Sequence, residues 1–193
     1  MEFQENDLCR GSLGRNLPRE NAMNFKLIIE RSIDKSFYSC NLILTIGDFQ
    51  IGDTVAWSHA GLVYFSVSEL IDSISNQKIE PNLVAFTRTT EDTTLFDLMK
   101  NWQAGDFSSE QKIKIMDFSQ DIKSFIALPL ATEIFDGEYM YVILLEKDVA
   151  KIIWRDFSTK SIESKLISFN CYLNEWRKIE LDIKSKISIV LSH

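Results

Sequence analysis

The sequence predicts an α+β fold, mainly antiparallel sheet, with an N-terminal hairpin, a C-terminal meander and two to three amphipathic helices. Two β-rich runs split by a polar turn open the folded part, and further β-rich runs joined by short polar turns come late. Between them lie segments whose apolar residues recur at helical spacing.

Asn24–Ile33 and Phe37–Ile46 are rich in Ile, Leu, Phe and Tyr and flank Asp34-Lys35-Ser36, so they read as a hairpin. Gly47-Asp48 and Gly52-Asp53 punctuate the loop after it, and Leu62–Phe65 reads as a short strand. The first helix follows. Ser66 is its expected cap, Glu69 completes a capping box, and Val67, Leu70, Ile71 and Ile74 form one face. Leu83–Thr87 reads as another short strand. In the second helix Thr89 or Thr90 is the expected cap, Leu95, Leu98, Met99 and Trp102 make the apolar face, and Gly105 ends it.

Ser124–Ile134 is then expected as a strand ending at the turn Asp136-Gly137. Tyr139–Glu146 meets Val149–Arg155 across Lys147-Asp148, a loop length suited to a hairpin. Ile162–Phe169 completes the meander after Ser158-Thr159-Lys160. The last stretch fits two patterns. Tyr172, Trp176, Ile179, Ile183 and Ile187 form a helical stripe with Asn170 as cap, while Ile179, Leu181, Ile183, Ile187 and Ile189 also alternate. Its polar start, with Asn174, Glu175, Arg177 and Lys178, favours the helix.

Residues 1–22 mix Asn, Gly, Arg, Glu and Pro without a period and predict a disordered tail. The folded unit is expected as one domain over 23–193. The chain has 193 residues, 45% of them hydrophobic and 13 of them Phe, enough for a core without metals or disulfides. Asp plus Glu number 28 against 21 Lys plus Arg, a formal charge of −7. That balance argues against nucleic acid or an anionic membrane as partner, since both reward cations. Cys9, Cys40 and Cys171 are odd in number and widely spaced, matching neither a disulfide framework nor a zinc site. With no long apolar run, a cytoplasmic protein is expected.

No catalytic, cofactor-binding or metal-ligating set is expected. His59 stands alone inside the fold, and no P-loop, dinucleotide fingerprint, HExxH or GxSxG is present. Asp48 and Asp53 each follow a glycine, which reads as turn chemistry. Binding has more support. Glu91, Asp92 and Asp97 lie on the second helix, with Asp106 and Glu110 beyond it and the aromatics Trp102 and Phe107 alongside. An acidic helix end with aromatic anchors suits a Lys/Arg-rich protein surface. A solvated face, with Glu91 and Asp92 complementing the helix dipole, is the simpler account.

Leu44-Thr45-Ile46-Gly47-Asp48 closing the hairpin, Ile51-Gly52-Asp53 after it, the helix at Ser66, and the stretches Phe135–Glu146 and Ile152-Ile153-Trp154-Arg155 form an ordered set across most of the chain. From Asn24 to about Ile187 this order resembles the immunity proteins of bacterial polymorphic toxin systems, in particular the family numbered forty-two. The resemblance implies a small cytosolic protein that neutralises a toxin encoded beside it by tight binding. It supplies no catalytic residue and leaves the interface open. A nuclease toxin would have a basic cleft, which an acidic inhibitor would meet favourably. The competing expectations are a ligand-sensing or accessory interaction domain and a carboxylate-based hydrolase.

Overall fold

Side chains in the first sheet alternate as strand geometry requires. In the computed structural model, which describes residues 23–31, 37–129, 132–156 and 159–188, β1 (Met23–Arg31) pairs antiparallel with β2 (Tyr38–Ile46), from Met23↔Ile46 to Arg31↔Tyr38. Ile33 and the turn Asp34-Lys35-Ser36 lie outside the described residues, as does the predicted tail. β3 (Phe49–Ile51) and the two-residue β4 (Ser58–His59) both pair with β2, one after the other. Gly47, at a φ of 60°, makes the tight β2–β3 turn that places glycine first.

Two strands expected from composition are helical. Leu62–Phe65 lies inside α1 (Ala60–Ser75), where His59 is the cap: its Nδ1 accepts from the Gly61 amide at 3.2 Å. Ser66 is therefore an interior, buried helix residue and caps nothing. Leu83–Thr87 lies inside α2 (Pro81–Thr89), whose Pro81 is preset for the first helical turn and needs no hydrogen-bonded amide there. Thr89 and Thr90 end α2, and the next helix, α3 (Asp92–Ala104), takes Glu91 as its N-cap residue. Gly105 closes α3 in the left-handed region at φ 71°, as expected. α4 (Ser109–Met116) adds a helix, set by a complete Ser108/Gln111 capping box.

The expected strand Ser124–Ile134 does not form. Single-turn 3-10 helices at Ile122–Ser124 and Glu133–Phe135 flank one isolated bridge, Ile126↔Tyr141. The meander itself forms as expected: β5 (Met140–Glu146), β6 (Val149–Arg155) and β7 (Ile162–Ser168) pair antiparallel in that order. The last segment is α5 (Phe169–Ser188). Its first turn is held by Ser168, whose hydroxyl accepts from Cys171, and by Asp148, which accepts from the expected cap Asn170.

The second sheet is the middle of the molecule. Met140, Val142 and Leu144 join a core with α1, α5 and the first sheet, while Tyr141, Ile143 and Leu145 join a second core with α2 and α3. Burial on both faces explains why β5 reads as a continuous apolar run. Trp176, fully buried, meets Phe25 edge-on at 4.6 Å and Tyr172 at 6.2 Å, tying α5 to β1.

β5 is an outer strand, yet its edge is covered. The Phe125 carbonyl accepts from Val142, and the Ala127 amide donates to Met140. Further along, buried Gln77 takes over. Its Nε2 donates to the Ser124 and Val142 carbonyls, and its Oε1 accepts from the Leu144 amide at 2.5 Å. One side-chain amide thus supplies the donor and acceptor that a neighbouring strand would offer. Among the described residues, no helix is long and apolar enough to cross a membrane.

Candidate functional site

Both Gly-Asp turns of the first sheet lead to one place. Asp48 from the β2–β3 turn and Asp53 from the loop after β3 line a cavity of about 700 Å³ with Asp136, Glu138 and Asp156. No lysine or arginine is in its lining. The loop around Asp53 is tied down by its backbone. The Asp53 amide donates to the Ile134 carbonyl at 2.9 Å, buried Asn41 donates through Nδ2 to the Asp53 and Ala56 carbonyls, and the Ser58 hydroxyl accepts from Glu133. Asp53 also bends back to accept from Val55 at 2.9 Å, the expected Asx turn. The turn reading and the cavity are two consequences of the same residue.

Gly52 permits this geometry. At φ +106° it occupies backbone space nearly closed to other residues, and an added Cβ would lie 2.9 Å from the Leu42 carbonyl and 3.1 Å from the Phe135 ring. Gly52→Ala is expected to lower stability by about 2–3 kcal/mol, read from urea unfolding; a change within about 0.5 kcal/mol would contradict the strain.

Glu138 and Asp156 are the half-buried acids of the set. Burial raises the Glu138 carboxyl above the ordinary 4.5 and Asp156 adds to this, outweighing Arg155, Lys160 and the hydrogen bond from the Gly52 amide. Among the described residues, no three of His, Cys, Asp and Glu converge to hold a metal ion. The carboxylates are spread around the wall, an arrangement suited to an extended cationic side chain more than to a compact ion.

The chain leaves this cavity through an apolar surface. Immediately after Asp53 and Thr54 come Val55, 77% exposed, and Trp57, then on α1 Leu62 and Phe65, the last 67% exposed. Phe37, also exposed, stacks on His59 at 5.4 Å. His59 is thus occupied as helix cap and ring partner. Cys40 is fully buried, and burial pushes its thiol up to about 12, so it is no nucleophile. Cys171 is half-buried, and Cys9 lies outside the described residues.

The residues expected to bind a partner fall elsewhere, on α3 and the turn after it. Glu91, Asp97 and Asp106 are exposed. Asp92 turns towards the sheet, where the Lys151 ammonium and the Ser164 hydroxyl both donate to it. Burial alone would raise its carboxyl, but those two hydrogen bonds and the Lys151 charge outweigh it and hold it below 3.8. Trp102 is half-buried against Phe118 and Phe125, each at 5.9 Å, so it anchors the second core. Asp136, Glu138 and Asp156 went unnoticed in the sequence as partners of Asp48 and Asp53, since only tertiary folding brings them together. The available signal was Asp136-Gly137-Glu138, a third Gly-Asp-type turn. No family model matches the chain, and neither a curated protein nor a solved structure matches it.

Proposed function

We propose that the protein is an immunity-type inhibitor: it binds a basic protein, a toxin domain encoded beside it, and catalyses nothing. The observation that carries this reading is the acidic cavity joined along the chain to exposed Val55, Trp57, Leu62 and Phe65. Protein interfaces combine apolar and aromatic anchors, which supply most of the affinity, with charge complementarity, which speeds encounter and sets orientation. Large exposed apolar residues gathered over a short stretch of chain favour an interaction surface. A stable complex needs about 1,200–2,000 Å² of total buried area, so the cavity and the apolar segment would act together. The site of action is the cytoplasm, where the toxin arrives.

Co-expression tests the reading. The toxin domain alone is expected to arrest growth, and the same cells with this protein are expected to grow normally. Arrest despite soluble, folded protein would overturn the proposal.

A pH effect follows from Glu138. A cation entering the cavity favours the carboxylate, whereas burial in the free protein favours the acid. Binding should therefore release a proton where the free protein's raised Glu138 carboxyl titrates, and affinity should fall as pH drops through that range. Calorimetry in two buffers of different ionisation enthalpy reads the proton directly. Equal heats in the two buffers throughout that range would show that Glu138 is not at the interface.

A further inference from the structure

On the other side of the β5-β6-β7 sheet from α1, the helices leave a second surface uncovered. α4 buries none of its residues, and Ile113 and Met116, one turn apart, are 68% and 75% exposed. α4 turns half-buried Ile115 to the second core, so the exposed Ile113 and Met116 form an additional apolar surface, which points to a partner. Beside it lies a cleft of about 550 Å³ lined by residues of α2, α3 and α4. Half-buried Phe86 and buried Leu98 form its apolar base, and exposed Glu110 and Asp117 stand at its margin. The cleft is held in shape by the Ser108/Gln111 capping box and by Asn101, whose Nδ2 donates to Gln111.

We infer that this cleft is a second docking surface, and that it receives an amphipathic helix of a partner protein whose apolar stripe is flanked by lysine or arginine. Charge chooses the occupant. Lys114 is already engaged, lying 3.9 Å from Asp117 and 5.2 Å from the centre of the Phe86 ring. Of the lining, Glu110 has no ion pair among the described residues; outside it, α3 and the turn after it add unpaired Asp97 and Asp106, against Lys112 on α4 and Lys100, which lies over the Tyr139 ring. A second copy of the chain would set these carboxylates against its own, and an anionic membrane would repel them. A helix with basic flanks places its apolar side chains over Ile113 and Met116 and its cations near the acids, the usual mode of helix-in-groove recognition. This surface is separate from the acidic cavity, and its occupancy does not depend on what fills that cavity.

The test uses a fluorescein-labelled synthetic peptide of about five helical turns, with leucines at i, i+3, i+4 and i+7 flanked by lysines, and a twin flanked by glutamates. Fluorescence anisotropy with the full chain is expected to show saturable binding of the lysine peptide only. Ile113→Asp should weaken it by at least about ten-fold even though it adds a negative charge, because the apolar contact is lost. Glu110→Lys should weaken it as well. Both positions are exposed, and circular dichroism is the check that the variants fold. Glu138→Gln should leave peptide binding unchanged, which separates this cleft from the cavity. Absence of saturable binding, or binding indifferent to Ile113→Asp, overturns the inference. So does adhesion to phosphatidylserine vesicles, or a concentration-dependent dimer, that Ile113→Asp abolishes, since each assigns the surface to a different occupant.

Discussion

Gln77→Ala is expected to lower the free energy of unfolding by about 2–5 kcal/mol, although Gln77 touches no candidate binding residue. The side chain is buried, and its three hydrogen bonds all go to main-chain groups, at Ser124, Val142 and Leu144. Removing it leaves an amide hydrogen and two carbonyls without partners in a region closed to water. Each such orphan costs about 1–3 kcal/mol, less whatever relaxation restores. At about 2–4 °C per kcal/mol, the melting temperature should fall by roughly 4–20 °C. Gln77→Leu separates the causes. It restores most of the volume but none of the hydrogen bonds, so it should be about as damaging as alanine. A leucine variant close to wild type would show that packing, not edge pairing, is what Gln77 provides.

Reversing charge in the cavity has the largest expected effect on binding. Asp48 and Asp136 are both exposed and make no side-chain hydrogen bond among the described residues, so Asp48→Lys with Asp136→Lys should fold normally. Affinity for the toxin domain should drop by about a hundred-fold or more, much of it in the association rate, with the loss shrinking at high salt. Trp57→Ala should act differently, at a cost of about 2 kcal/mol expressed chiefly as faster dissociation. Equal association rates for wild type and the double variant would remove the electrostatic half of the proposal.

The β5–β6–β7 meander was legible because β5 and β6 are rich in apolar residues and short polar stretches separate the three strands. α5 was legible from its stripe, in which Tyr172, Trp176, Ile179 and Ile183 are all buried. The errors have physical causes. Leu62–Phe65 carries β-branched and aromatic residues, and its helix is capped by a histidine, which is not among the preferred N-cap residues. Helix α2 was hidden by its short length and by the β-like look of Leu83–Thr87, although Pro81 marked its start. Ser124–Ile134 is apolar enough for a strand, but it pairs with β5 only through Phe125 and Ala127, and the next groups of that edge, on Val142 and Leu144, are taken by a glutamine from 47 residues before Ser124. No local pattern announces that. The acids of α3 were visible as charges, yet the Lys151 and Ser164 partners of Asp92 were not, and the cavity joins turns far apart in the chain.

Stoichiometric titration tests the central claim most directly. Purified toxin domain at a concentration well above the dissociation constant is titrated with this protein while toxin activity is followed. Occupancy of a preformed surface predicts a linear fall that ends at one equivalent, with a stable complex on size exclusion. Complete silencing at a small fraction of an equivalent would reveal turnover, and an undiminished rate at several equivalents would show that the two proteins do not meet.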